Sequence, residues 1–168
     1  ALEPEPSPKA SSTPADKQYQ RAPQVSLAEP DSAAVPGAIR RRASYREPER
    51  RPITDTELAT LLTYAYGEIR EVNGEPRRPV ASGGACYPLE LYPIVLDSPD
   101  IDAGIYHYNG RDGALDQLAA GDYSDWLQEQ WTWITSADTV AAAIVITALP
   151  GRSADRYGEM GYLLAALE

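Results

Sequence analysis

Cysteine, histidine and methionine are nearly absent from this 168-residue chain, each occurring once, as Cys86, His107 and Met160. One cysteine excludes an intramolecular disulfide and any multi-cysteine metal site. One histidine excludes a metal site built on a histidine pair, such as His-Glu-x-x-His. No apolar run reaches transmembrane length. The opening Ala1-Leu2-Glu3-Pro4 lacks the charged and apolar regions of a signal peptide. It also lacks an initiator Met, which leaves processing, excision or a fragment open. Positive charge is in deficit, 15 basic against 25 acidic residues for a net −10. That argues against a general nucleic-acid binder, which needs a clustered positive surface. A reducing, cytoplasmic setting without membrane contact is the expectation.

Against the acidic background stands a basic island at Arg40, Arg41, Arg42, Arg46, Arg50 and Arg51. A local island suits one anionic group better than a polyanion. Arg42, Ser44 and Arg46 alternate, so two guanidinium forks and a hydroxyl can surround a phosphate monoester. If the segment opens a helix, backbone N–H groups add to this. A solvated basic face is the alternative.

Residues 1–38 are rich in Pro, Ala, Ser, Glu and Asp. Such a segment buries too little surface to offset its ordering entropy and reads as a disordered tail or linker. Residues 39–168 read as one domain. A helix is expected from near Ile39. Thr54 followed by Glu57 is a capping-box signature. Leu58, Leu61, Leu62 and Ala65 give a helical face ending near Gly67. Residues 68–80 read as a loop. Leu89–Leu96 reads as a strand with Pro93 marking an edge or bend, and Gly104–Tyr108 as a strand before an Asn-Gly turn. A short piece begins at Leu115. Ser124 can cap a helix carrying Trp126, Leu127 and Trp131, and the tryptophans, Trp133 included, are expected in packing. Val140–Leu149 reads as a buried strand, and Tyr157–Glu168 as the start of a helix. Strands and helices in this order indicate an α+β sandwich.

The most informative stretch is Ser82-Gly83-Gly84-Ala85-Cys86-Tyr87-Pro88-Leu89-Glu90-Leu91-Tyr92. Its small residues let a backbone approach a flat ligand closely, and Tyr-Pro then directs the chain. A Gly-rich turn before an ordinary strand is the plainer reading. Cys86 reads as a small buried side chain. His107 reads as a core residue rather than a catalytic base, because no acid is paired with it in sequence.

This stretch resembles the flavin-contacting segment of the SagB-type dehydrogenases, the azoline oxidase branch of the FMN-dependent nitroreductase superfamily. Their pattern reads Pro-Ser-(small)-Gly-Ala-Leu-Tyr-Pro-Leu-Glu-Leu-Tyr. Arg42-Ala43-Ser44-Tyr45-Arg46 resembles their phosphate motif, Gly104-Ile105-Tyr106-His107-Tyr108 their Gly-x-Tyr-x-Tyr strand, and Arg156-Tyr157-Gly158-Glu159-Met160-Gly161-Tyr162 their Lys-Tyr-Gly-x-Arg-Gly-Tyr segment. The resemblance implies a nitroreductase-like mixed sheet with packed helices, formed as an intertwined dimer. It implies FMN held by Arg42, Ser44 and Arg46 at the phosphate and by Ser82, Gly83 and Gly84 at the ring. It assigns proton handling to the Arg156–Tyr157 pair, while a hydride passes from a thiazoline or oxazoline of a peptide or small-molecule substrate.

Departures from the pattern qualify this. Arg156 stands where the family has a lysine, and arginine cannot act as a base. Tyr157 is left to relay a proton or donate a hydrogen bond, and Arg156 to hold an anionic group. Ala43, Ala81, Cys86 and Met160 also differ from the family residues. The segment matching the family ends at Glu168, where the family continues into a long helix, so the chain reads as an N-terminal half. The expected partner is a second copy or a complementary C-terminal chain. Two further functions stay open: a non-catalytic subunit that scaffolds a partner or peptide, and a flavin reductase for nitro or quinone compounds.

Overall fold

In the computed structural model of the chain, the structure describes residues 17–43, 51–130 and 139–168. The core is a five-stranded sheet. Its strands are β1 (Gln24–Ser26), β4 (Leu89–Val95), β5 (Gly104–Asn109), β6 (Ala114–Ala120) and β7 (Ala142–Ala148), in the order β1-β6-β5-β4-β7. Every pairing in it is antiparallel. Helix α2 (Asp55–Tyr66) covers one face. There Leu58, Leu62 and Tyr66 pack on Leu91 and Val95 of β4, Tyr106 and Tyr108 of β5, and Leu115 of β6. Helix α3 (Ser124–Gln130) packs Leu127 on the opposite face, against Ile94 and Ala143. The two-residue period of each strand sends alternate side chains to these two layers.

The capping box forms as the sequence signals. The Thr54 hydroxyl accepts from Glu57 N–H, and the Glu57 carboxylate accepts from Thr54 N–H. The expected apolar face of α2 is rotated, however. Leu58, Ala59, Leu62 and Tyr66 are buried, whereas Leu61 and Ala65 face outward. The sheet lies under one side of the helix only, so two of the four expected positions are not recruited.

Other expectations change in the structure. The tail expected through residue 38 carries structure from Lys17 onward. Strand β1 pairs with β6 through Gln24↔Asp116, Val25↔Leu115 and Ser26↔Ala114. Helix α1 runs Ala34–Arg41 instead of starting near Ile39. The first sixteen residues, Ser44, Arg46, Arg50, Trp131 and Trp133 lie outside the described residues. The expected loop at 68–80 contains a hairpin of β2 (Arg70–Val72) and β3 (Glu75–Arg77). Asn73 and Gly74 turn it at φ 56° and 79°, the positive-φ pair of a two-residue hairpin turn.

Pro93 does not mark an edge: β4 lies between β5 and β7. Leu149 N–H donates to Pro88 O and Leu96 N–H to Ala141 O, so even-numbered residues of β4 bond to β7. The Pro93 nitrogen therefore faces β5, beyond the β4–β5 ladder at Ile94↔Ile105 and Val95↔Gly104, and no β4–β7 bond is lost. Conversely, β7 was expected to be buried but is an edge strand, with Ile146 60% exposed. Trp126 is also exposed, and Leu127 is the buried residue of α3. Finally, the helix expected from Tyr157 is two helices, α4 (Gly151–Tyr157) and α5 (Met160–Leu167), separated at Gly158 with φ 58°.

Candidate functional site

The Ser82–Tyr87 segment leads into β4 through a tight turn. Ala85 N–H donates to Ser82 O, Cys86 N–H to Gly83 O, and Tyr87 N–H to the Ser82 hydroxyl at 2.9 Å. Gly84, Ala85 and Tyr87 have φ of 64°, 54° and 44°. The left-handed region costs a residue with a side chain about 1–2 kcal/mol, so surrounding contacts must hold Ala85 and Tyr87 there.

Those contacts are dense around Tyr87. Its hydroxyl accepts from Arg78 N–H at 3.2 Å. Its ring meets Tyr66 edge-on, and the Arg78 guanidinium lies over both rings at 5.2 and 4.6 Å. The Tyr66 hydroxyl accepts from Leu89 N–H and donates to Glu168. Burial first, then the bond to Glu168, push the Tyr66 phenol well above its usual range, so it stays a protonated donor.

Helix α4 is laid against this turn. Arg152 and Arg156 are four residues apart and so share a helix face. Arg156 Nη1 donates to Gly84 O at 3.1 Å, and Arg152 Nη1 to Tyr87 O at 2.8 Å. The approach is close: a Cβ on Gly84 would sit 2.4 Å from the Tyr157 hydroxyl and 3.1 Å from Arg156 Cδ. A Cβ on Gly83 would meet Leu164 of α5 at 3.1 Å. Two segments about seventy residues apart, Ser82–Gly84 and Arg156–Tyr157, are thus brought together. Both Arg156 and Tyr157 are exposed.

Arg42 is placed differently. It follows the C-terminus of α1 and is exposed with Arg40 and Arg41. Arg42 thus closes a helix instead of opening one, and residues 44–50 lie outside the described residues. The nearby helix end presents carbonyls, which favour the arginines but give no N–H cradle.

Sequence reasoning missed a buried ionic chain. Arg152, Glu90, His107 and Asp116 are all buried. Arg152 Nη2 lies 2.5 Å from Glu90 Oε1, Glu90 Oε2 2.5 Å from His107 Nε2, and Asp116 Oδ2 3.4 Å from His107 Nδ1. The Gln24 amide donates to Asp116 Oδ1 at 2.9 Å. Tyr19 and Tyr92 flank the imidazole with ring centroids 5.0 and 5.2 Å away, and Lys17 Nζ donates to the Tyr92 hydroxyl. Burial acts to raise the Glu90 pKa. The His107 hydrogen bond and the Arg152 charge outweigh it and hold the carboxyl below its usual range. His107 is a core residue as expected, but it has two acid partners. The only available signal was period-two alternation, which puts Glu90, His107 and Asp116 on one face once the strand order is known.

No protein-family profile matches the chain. The chain is 43% identical over 67 residues to the trifolitoxin-processing protein TfxB of Rhizobium leguminosarum bv. trifolii, covering 36% of the chain and 18% of that protein. It is 33% identical over 85 residues to MJ1384 of Methanocaldococcus jannaschii, named as a candidate nitroreductase, covering 51% of the chain and 41% of that protein. Among solved structures, a candidate nitroreductase from Anabaena variabilis superposes with a TM-score of 0.66 at 24% identity, over 92% of this chain and 30% of that one. One from Ralstonia eutropha superposes with a TM-score of 0.62 at 23% identity, over 96% and 72%.

The chain has a nitroreductase-like fold.

The Escherichia coli microcin synthetase McbBCD complex with truncated pro-MccB17 bound also superposes on this nitroreductase-like chain, with a TM-score of 0.56 at 24% identity, over 78% of this chain and 53% of that one. The chain spans less than half the length of either curated relative. Among the described residues, no helix is long and apolar enough to cross a membrane.

Proposed function

We propose that this chain is part of an FMN-dependent oxidoreductase that aromatises thiazoline or oxazoline rings in peptide natural products. The observation that carries the reading is the junction of the Ser82–Gly84 turn with Arg156 and Tyr157. It joins a small-residue backbone turn to a cation and a phenol. The likeness to a trifolitoxin-processing protein and to a microcin synthetase complex with a peptide bound supports a peptide substrate. The donor set fits FMN. Ser82 offers a hydroxyl and residues 82–84 their backbone polar groups for the ring, and the exposed Arg42, together with Ser44 and Arg46, offers donors for the phosphate.

FMN, when bound, supplies the two-electron acceptor for the substrate hydride. The chain's residues do the rest. The Tyr157 hydroxyl relays the proton lost from the azoline or donates a hydrogen bond to it. Arg156 stays charged and orients an anionic or carbonyl group of the substrate.

Exposed Met160, Tyr162, Leu163 and Leu167 on α5, with Ile146 on β7, favour association with a second copy or a complementary chain. The single cysteine and acidic composition suit the cytoplasm. A second reading, a non-catalytic subunit that scaffolds a peptide, is favoured by the arginine at position 156.

The test is flavin titration followed by absorbance, with FMN and riboflavin compared. Arg42→Ala should weaken FMN binding more than about tenfold, the loss of one charge-assisted contact, and leave riboflavin unchanged. Anaerobic addition of an azoline-containing peptide should then bleach the flavin. Absence of flavin binding, alone and with a complementary chain, refutes the enzyme reading. Binding without bleaching favours the scaffold.

A further inference from the structure

The Ser82–Tyr87 turn holds a tyrosine at positive φ, and that tyrosine is gripped on three sides. Ser82 accepts its N–H, Arg78 N–H donates to its hydroxyl, and Arg152 donates to its carbonyl. The third grip differs in kind. Arg152 is 4% exposed, and a guanidinium leaves water only where its donors are met by acceptors. Here its Nη1 donates to the Tyr87 carbonyl, and its Nη2 lies in ion-pair contact with the Glu90 carboxylate.

We propose that Arg152 is a positioning residue for the Ser82–Tyr87 turn, and that Glu90, His107 and Asp116 hold its guanidinium in place. The inference rests on the reading of that turn as the flavin wall only for its functional meaning; the clamp itself rests on contacts.

The chain of contacts has one arrangement because each carboxylate oxygen is committed. Glu90 gives Oε1 to Arg152 and Oε2 to His107. Asp116 gives Oδ2 to His107 and Oδ1 to the Gln24 amide. Rotating any one side chain would leave a buried charge without its partner, which costs far more than an exposed contact. The chain begins on β1, crosses β6, β5 and β4, and ends on the carbonyl of a strained residue. Tyr19 and Tyr92 close it from solvent. Arg156 touches the same turn from the exposed side. One helix therefore presents a buried arginine that sets the turn and an exposed one that faces the ligand.

The deciding variant is Arg152→Lys. Lysine keeps the charge but lacks the planar fork that reaches Tyr87 O and Glu90 together. Hydrogen exchange is measured on the apo protein, full chain, by peptide. Peptides covering 82–88 should exchange at least about tenfold faster relative to β5 and β6 peptides, as expected when one charge-assisted bond is lost. Riboflavin and FMN binding should weaken equally, because the turn meets the ring and not the phosphate. Exchange that rises equally in 82–88 and in β5–β6, or that is unchanged in 82–88, overturns the proposal. If Arg152→Lys does not fold, Glu90→Asp, which keeps the charge but shortens the reach, is read by the same criterion. Failure of the wild type to bind either flavin would sink the flavin-wall reading, while the exchange ratio still decides the clamp.

Discussion

Replacing Glu90 with glutamine tests the buried chain most directly. The amide keeps the shape of the side chain and removes its charge. Arg152, facing it, then loses its carboxylate, and His107 is left facing a neutral amide. Breaking a buried ion pair by removing one partner costs about 3–5 kcal/mol. A domain of this size has about 5–15 kcal/mol in total, so the loss is a large share. The pH dependence follows from the direction of the Glu90 shift. Its folded pKa lies below the unfolded value of about 4.3. The stability it contributes is therefore complete above the unfolded pKa and is lost as pH falls through the folded one. Urea unfolding followed by far-UV circular dichroism should show Glu90→Gln less stable by about 3–5 kcal/mol at neutral pH. The gap to wild type should narrow in acid below about pH 4. A double-mutant cycle with Arg152→Met should show coupling of about 1–3 kcal/mol, since the residues touch. A neutral-pH loss under about 1 kcal/mol, or a gap constant down to about pH 3, would refute the reasoning.

Four further outcomes are expected. Gly161→Ala should lower stability by about 3 kcal/mol in a denaturant titration, because its Cβ would lie 2.3 Å from Ala154 N and 2.5 Å from Ser153 C, and helix backbone cannot yield as a side chain does. Gly84→Ala should cost only about 1–2 kcal/mol from its positive φ. It displaces the Tyr157 hydroxyl, however, so any flavin reduction rate should fall further than the stability change explains. Truncation to remove residues 1–16, a Pro-, Ala- and Ser-rich stretch, should leave the melting midpoint unchanged. Truncation through Ser26 removes β1 and the Lys17 and Tyr19 contacts and should cost about 2–4 kcal/mol, read by thermal melting.

The sequence alone determined what local physics decides. The capping box at Thr54 and Glu57 starts α2 where two short-range hydrogen bonds require it. The apolar and aromatic runs at 89–95 and 104–109 became strands, and the small residues at 82–85 became a tight turn, because period and backbone freedom act within a few residues. Everything set by contacts across long sequence separations escaped it. Strand order made the apolar β7 an edge and put Pro93 inside the sheet, where its missing N–H faces away from β7. A composition that reads as a tail became β1 because β6 offers an open edge to pair with. Nothing in the sequence links Glu90, His107, Asp116 and Arg152 to one another. Three strands in register and one helix bring them together, and only in that buried setting does a carboxylate need both an arginine and a histidine. The Ser82–Gly84 turn and the Arg156–Tyr157 pair were both legible as motifs. Their meeting was decided by the packing of α4, where the side-chain-free Gly84 leaves room for a tyrosine hydroxyl.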